Sequence, residues 1–391
     1  MVSTVEQFCT LLERSRLLNG PVLGAVRGRW LRAAGPAADD LGRFTRWLVA
    51  TRCLTGYQVK RLLRGHTDCF FLDRYKILRR LGEGPLARVY KAVGPAGQPV
   101  ALKVLPPSRA AEPRLRACFE RQSRAARRLL HPNVVRTLRA GAANGVRFLV
   151  LEYLDGETLA ALLRRRGRLP PAEAVRLAYQ AFLGLQHIHE RGLVHGNIEP
   201  ANLMLVPASW SLPAPFAPRG LVPRRPRRRR AGAAEPDSTL GCTVKLLDAG
   251  LGPAFFEAIT QVAADRLRKA GAAVFPVTAA DRAPELARDP RAGDIRADLY
   301  ALGCVLYHCL TGQPPFPAAN PVAQLIRHAT EAPRPLREFD PALPRGLQPV
   351  LGRLLAKDPA RRYPTPAAAA RALSDFLPGG SRRGGRRLLT P

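Results

Sequence analysis

Apolar positions change period along this chain, and each change marks a different kind of element. Over residues 1–66 they recur at helical spacing: Val5, Phe8, Leu11 and Leu12 share one face, behind Ser3 and Glu6 at capping-box spacing. Further helical patterns run through 22–33, 41–51 and 58–63, broken by Gly20-Pro21, Gly35-Pro36 and Gly56. Trp30, Phe44 and Trp47 are the expected core of this small helical unit. It holds no catalytic constellation, so a docking or accessory role is expected.

From residue 75 the pattern turns β-like, at 75–81, 89–92 and 100–105. A helical pattern over 113–130 stops before His131-Pro132-Asn133, and 147–153 reads as another strand. Beyond Leu154-Asp155-Gly156 the patterns are helical. The longest apolar stretch, 299–310, contains His308 and is too short to span a bilayer. Residues 207–241 break the pattern: they are rich in Pro, Ala and Arg, with seven arginines and no acid from Arg219 to Arg230. A disordered basic insertion is expected there, and a flexible basic tail over 378–391.

Composition narrows the class. A 391-residue chain can hold two domains, and 46% hydrophobic with 24% charged residues is ordinary for a soluble protein. Seven scattered cysteines, none in C-x-x-C, fit reduced thiols rather than a disulfide framework or a zinc site. Glu6 and Glu13 interrupt anything resembling a secretory leader, so a cytoplasmic location without a membrane span is expected. The net charge of +32 invites a polyanion reading. Yet only seven of the 62 basic residues are lysines, and the arginines are spread along the whole chain, as GC-rich coding would leave them. A weak nucleic-acid or polyanion contact through Arg219 to Arg230 stays open as a secondary expectation.

The candidate chemistry lies in short ordered motifs. Leu81-Gly82-Glu83-Gly84-Pro85-Leu86-Ala87-Arg88-Val89 resembles a glycine-rich phosphate loop, and Val100-Ala101-Leu102-Lys103 resembles V-A-I-K. His195-Gly196-Asn197-Ile198-Glu199-Pro200-Ala201-Asn202 resembles the catalytic loop H-R-D-L-x-x-x-N. Asp248-Ala249-Gly250 stands where D-F-G is expected, and Ala283-Pro284-Glu285 is an A-P-E. Asp298 to Gly303 and Asp358 to Arg362 are similar to later signatures of the same family. By these motifs the chain resembles the bacterial branch of the eukaryotic-type serine/threonine protein kinases, over about residues 75–377.

The resemblance implies an α+β, two-lobed protein-kinase fold, with a small β-rich N-lobe (75–153) and a large helical C-lobe (154–377). It implies ATP and Mg²⁺ as cofactors and a protein substrate or signalling partner. Gly82, Gly84 and Lys103 would hold phosphates; Val89, Ala101, Met204 and the hinge backbone at Glu152 and Leu154 would hold adenine, with Leu151 as gatekeeper. Asn202 and Asp248 would be the magnesium ligands. Glu285 with Arg362 matches the family's buried ion pair, and Asp298 would hold the catalytic-loop backbone.

Several positions depart from the family. Asn197 replaces the Asp that would accept a proton, Glu199 replaces the loop Lys, and Gly196 replaces the Arg that reads activation-loop phosphorylation. Gln122 falls where the helix Glu would pair with Lys103, Pro85 removes an amide donor, and Ala249 leaves a smaller plug than Phe. Glu199 would then either repel the γ-phosphate or turn to solvent, and Thr278 is a candidate to face the catalytic loop. The leading expectation is a signalling pseudokinase that binds Mg-ATP and is catalytically impaired. An active serine/threonine kinase and a polyanion-binding protein are the alternatives.

Overall fold

The computed structural model describes residues 2–208, 239–252, 255, 258, 261, 281–289 and 292–377. The central part of the expected insertion, the tail over 378–391, and Thr278 lie outside the described residues. Contacts divide the chain into two compact units.

The first unit holds Met1–Arg109 and Leu138–Tyr153. Helices α1 (Val5–Arg14), α2 (Gly20–Ala34), α3 (Leu41–Ala50) and α4 (Gly56–Leu63) enclose a core with Phe8, Leu12, Trp30, Phe44, Leu48 and Leu62. Trp47 packs at its edge, 5.6 Å from Trp30 and 6.5 Å from Phe44. Each helix is capped by a short polar side chain, though not always the expected one. Thr4, not Ser3, accepts the Gln7 N–H, and Gln7 reaches back to the Ser3 N–H, one residue later than the Ser3/Glu6 reading. Gly20-Pro21 starts α2 instead of breaking the pattern, because a proline in the first turn loses no helical bond and Asn19 caps it. Gly56 likewise opens α4 behind Thr55.

The strands of this unit are β1 (Phe71–Leu72), β2 (Tyr75–Glu83), β3 (Arg88–Val93), β4 (Pro99–Val104), β5 (Thr137–Ala143) and β6 (Val146–Glu152). They form one sheet in the order β1-β2-β3-β4-β6-β5. β5, which pairs with β6 at the edge, has no clear apolar alternation and went unread in the sequence. Alternate residues Tyr75, Ile77, Val100, Leu102, Phe148 and Val150 pack on one face. A four-residue helix, α5 (Pro107–Ala110), follows β4.

The second unit begins with α6 (Pro113–Ala126). Next come β7 (Glu157–Thr158), α7 (Leu159–Arg166), α8 (Pro171–His189), β8 (Leu203–Pro207) and β9 (Cys242–Leu246). They are followed by α9 (Pro284–Arg288), α10 (Ile295–Thr311), α11 (Pro321–Thr330), α12 (Leu347–Leu354) and α13 (Pro366–Ser374). α10 is buried nearly all round, as its unbroken apolar run requires, and packs with α8, α12 and α13. β8 and β9 pair from Leu203↔Leu246 to Pro207↔Cys242, so the inserted segment leaves from the end of a regular hairpin. Pro207, read as the insertion's first residue, therefore belongs to a strand.

All seven cysteines are free, and among the described residues no helix is long and apolar enough to cross a membrane.

Candidate active site

In the first unit, the β2–β3 hairpin closes on Glu83↔Arg88, and the Gly84 N–H donates to the Ala87 carbonyl at 2.9 Å. The turn is braced by groups that the motif reading did not single out. Arg109, from α5, donates to the Gly84 carbonyl at 2.6 Å and to Glu83 at 3.1 Å, while Arg80 and Arg88 also bind the Glu83 carboxylate. The hydrogen bond from Arg88 chiefly holds that carboxyl below its ordinary range. Lys103 lies on central strand β4, paired with Val89 on one side and Leu149 on the other, and only 3% of it is exposed. Ala101 and Glu152 are buried on the same sheet.

In the second unit, the catalytic-loop segment is held from below. Asp298, at the start of α10, accepts the His195 N–H at 2.7 Å and the Gly196 N–H at 2.9 Å. Burial pushes the Asp298 carboxyl up to about 7, against the pull of those two bonds. His195 Nδ1 accepts the Asn197 N–H at 3.2 Å. The Asn202 amide Nδ2 donates to the Asn197 carbonyl at 3.0 Å and to Glu199 Oε1 at 3.2 Å. Glu199 is thus tied to Asn202, an outcome that neither sequence alternative included. The Leu247 N–H donates to the Asn202 carbonyl at 2.8 Å, and Asp248 is the next residue in the chain, two past the end of β9. Asp248 itself adopts a left-handed backbone, φ 60°.

Those bonds test the fit to a divalent cation. Two acceptors hold the Asn202 amide nitrogen, which leaves Oδ1 to face a cation, and the Asp248 carboxylate would be a second oxygen ligand. An oxygen pair of this kind suits Mg²⁺, so the residues fit. Among the described residues no cluster of three or more His, Cys, Asp or Glu offers another metal site. Met204 stands on β8 opposite Lys245, Leu154 is buried, and Gln122 is 2% exposed on α6.

Gly196 has a reason that its family position did not reveal. Its φ is 77°, and a Cβ there would meet the Gly252 backbone at 2.9 Å. Restoring the family residue with Gly196→Arg should therefore destabilise the chain by about 2–4 kcal/mol, through backbone strain plus overpacking, in urea unfolding. Ala249 is buried in the core, and a Cβ on Gly250 would come within 2.7 Å of the Ala125 Cβ on α6.

A cavity of about 40 Å³ is lined by Asn197, Glu199 and Asp298, and also by Asp281 and Arg282, which carried no signal in the sequence. Crowding by protein and the nearby Glu199 charge push the Asp281 carboxyl up to about 8. Folded Asp281 therefore keeps its proton where the unfolded group, near 3.8, has lost it. Stability should fall as pH rises from about 4 to 8. Asp298 contributes with the same sign up to about 7, so Asp281→Asn should lower the slope from about pH 5 and remove what is left of it between pH 7 and 8 in denaturation series.

The protein kinase domain family matches residues 75–373. The chain belongs to the bacterial eukaryotic-type serine/threonine protein kinases. Serine/threonine-protein kinase PknB of Mycobacterium leprae is 30% identical over 302 residues, covering 75% of this chain and 42% of that protein. PknB of Mycolicibacterium smegmatis is 31% identical over 303 residues, covering 75% and 41%. The crystal structure of the Mycobacterium tuberculosis PknI kinase domain matches with TM-score 0.55 and 25% identity, over 78% of this chain and 98% of that one. The match thus spans less than half the length of these curated relatives and nearly all of a solved kinase domain. The α+β kinase fold follows from it, and the family generally uses ATP and Mg²⁺.

The ion pair that the resemblance implied between Glu285 and Arg362 is formed. Arg362 binds both oxygens of Glu285, at 2.7 and 2.8 Å.

Proposed function

We propose that this kinase-family chain is a cytoplasmic signalling protein that binds Mg-ATP and transfers its phosphate slowly or not at all. The observation that carries the reading is the Glu199–Asn202 hydrogen bond beside Asn197. The loop keeps an oxygen ligand for the cation and has lost the groups that handle charge around it.

Asn197 presents an amide where a substrate hydroxyl would need a proton acceptor, and an amide takes no proton. Glu199 places a carboxylate where a cation would offset phosphate charge. Repulsion of that kind reaches about 4 kcal/mol per charge pair at ~4 Å and an effective dielectric of ~20. Lys103 and the Gly82–Gly84 backbone would hold phosphate oxygens, while Val89, Ala101, Glu152, Leu154 and Met204 would hold the base. Asn202 and Asp248 would hold Mg²⁺, which when bound neutralises phosphate charge. At the position of the family's pairing Glu, Gln122 brings a neutral amide and no charge.

A working kinase acting on protein serine or threonine is the second reading, supported by Lys103, Asn202 and Asp248 at their motif positions. The strip from Arg219 to Arg230 lies outside the described residues, and the polyanion reading rests on composition alone.

Purified protein incubated with labelled ATP, Mg²⁺ and generic acceptors separates the first two. Near-background incorporation is expected, with Mg-ATP still raising the melting temperature. Incorporation that disappears in Asp248→Ala would replace the first reading with the second. An unmoved melting temperature would remove nucleotide binding from both.

A further inference from the structure

Strand β2 is irregular where it meets the helical unit. Ile77 pairs with Ala92 and Arg79 with Lys91, so Leu78 is an extra residue without a partner on β3. A second slip leaves Leu81 unpaired between Arg80↔Tyr90 and Gly82↔Val89. A bulge bends a strand and frees backbone groups from the ladder, and those groups need other partners.

The partners at the first bulge come from α4. The Thr55 hydroxyl donates to the Leu78 carbonyl at 2.5 Å, and Gln58 Nε2 donates to the Ile77 carbonyl at 2.8 Å. Both side chains also cap their own helix: Gln58 Oε1 accepts the Thr55 N–H at 2.9 Å, and Thr55 Oγ1 accepts the Gln58 N–H at 3.2 Å. Gln58 is 1% exposed, so an amide in that place has no water to fall back on. Neighbouring residues are fastened as well. Lys76 Nζ donates to the Leu17 carbonyl at 3.0 Å, the Ile77 N–H donates to the Phe70 carbonyl at 2.7 Å, and Tyr57 meets Tyr90 edge to face at 6.4 Å.

We propose that Thr55 and Gln58 are positioning residues for the phosphate-binding turn, so that the helical unit sets the nucleotide affinity of the kinase domain. Gly82 lies about 13 Å along the strand from Leu78, at ~3.3 Å per residue, and the turn at Gly84 two residues further. Without the α4 donors, the two carbonyls are best satisfied by a regular ladder. Removing a one-residue bulge shifts every later side chain of β2 to the opposite face and moves Gly82 and Gly84 with it. The family match begins at residue 75, so both donors stand outside it.

The affinity part rests on the nucleotide binding proposed above. Gln58→Glu keeps an oxygen that caps α4 and, above the pH at which the buried carboxyl ionises, replaces the donor to Ile77 with a carboxylate. In the full chain it should weaken Mg-ADP binding about tenfold by calorimetry, as when the unpaired carbonyl leaves the competent register only about one tenth populated. It should also speed amide exchange over 79–90. Lys76→Met leaves the α4 cap untouched and should shift both readouts less, in the same direction, which guards against a Gln58 variant that simply unfolds. Wild-type affinity in a folded Gln58→Glu would overturn the proposal. If the native protein itself binds no Mg-ADP, it is the nucleotide reading that fails. Exchange over 79–90 then decides: acceleration upholds the control of the turn by α4, and an unchanged rate overturns it.

Discussion

Asn197→Asp combined with Glu199→Lys is expected to raise phosphoryl transfer to generic acceptors by about 10²–10⁴-fold, the usual contribution of a positioned general base. Asn197→Asp alone should recover less, because the Glu199 carboxylate would still face phosphate charge. Glu199→Lys alone removes one acceptor from the Asn202 amide, but Nδ2 keeps its bond to the Asn197 carbonyl, so the cation ligand stays oriented. The loop backbone is held by Asp298 independently of both side chains, which makes the exchange compatible with folding. Steady-state ADP release, with Asp248→Ala as background, measures the gain. A double variant within twofold of the native rate would locate the impairment elsewhere, with Gln122 the next position to restore. Gly196 should be left alone in any such series, since its left-handed backbone and the Gly252 backbone close by disfavour the family arginine.

What could be read from the sequence, and what could not, divides along physical lines. Spacing carried the fold well: the 299–310 apolar run became the buried α10, and Trp30 and Phe44 became a core. Ion-pair positions were legible too, because Glu285 and Arg362 sit in motifs whose partners are fixed by the fold. Glu199 was harder, since its side chain is turned by a local bond to Asn202 rather than by net charge. Gly196 looked like a lost arginine because φ is invisible in a residue name. Asp281 and Arg282 lie far from the loop in sequence and meet it only through tertiary packing. The bolting of β2 by Thr55 and Gln58 escaped for a related reason: a capping box reads as helix punctuation, and nothing in it announces a second use on a neighbouring strand.

Arg362→Ala should cost about 3–5 kcal/mol in folding stability, the range for breaking a buried ion pair from one side. Its side chain is fully buried, and every N–H of the guanidinium is spoken for. Nε donates to the Ala356 carbonyl at 2.8 Å. Nη1 donates to Glu285 and to the Arg296 carbonyl at 2.9 Å, and Nη2 donates to Glu285 and to the Lys357 carbonyl at 3.2 Å. The plane also lies 4.8 Å from the Tyr300 ring centroid. Truncation would strand the Glu285 carboxylate and three carbonyls, and it would open a void beside α10. Arg362→Lys should not rescue it, because an ammonium has three donors and no fork to match both carboxylate oxygens. Arg362→Met together with Glu285→Gln should recover part of the loss by removing the buried charges together. Urea unfolding of the four proteins measures this. If the lysine variant proves as stable as the native chain, the fork geometry contributes nothing and charge alone holds this corner. Since Glu285 opens α9 and Asp298 opens the neighbouring α10, the same loss should spread to the Asp298–His195 contact and expose the catalytic-loop amides to faster exchange.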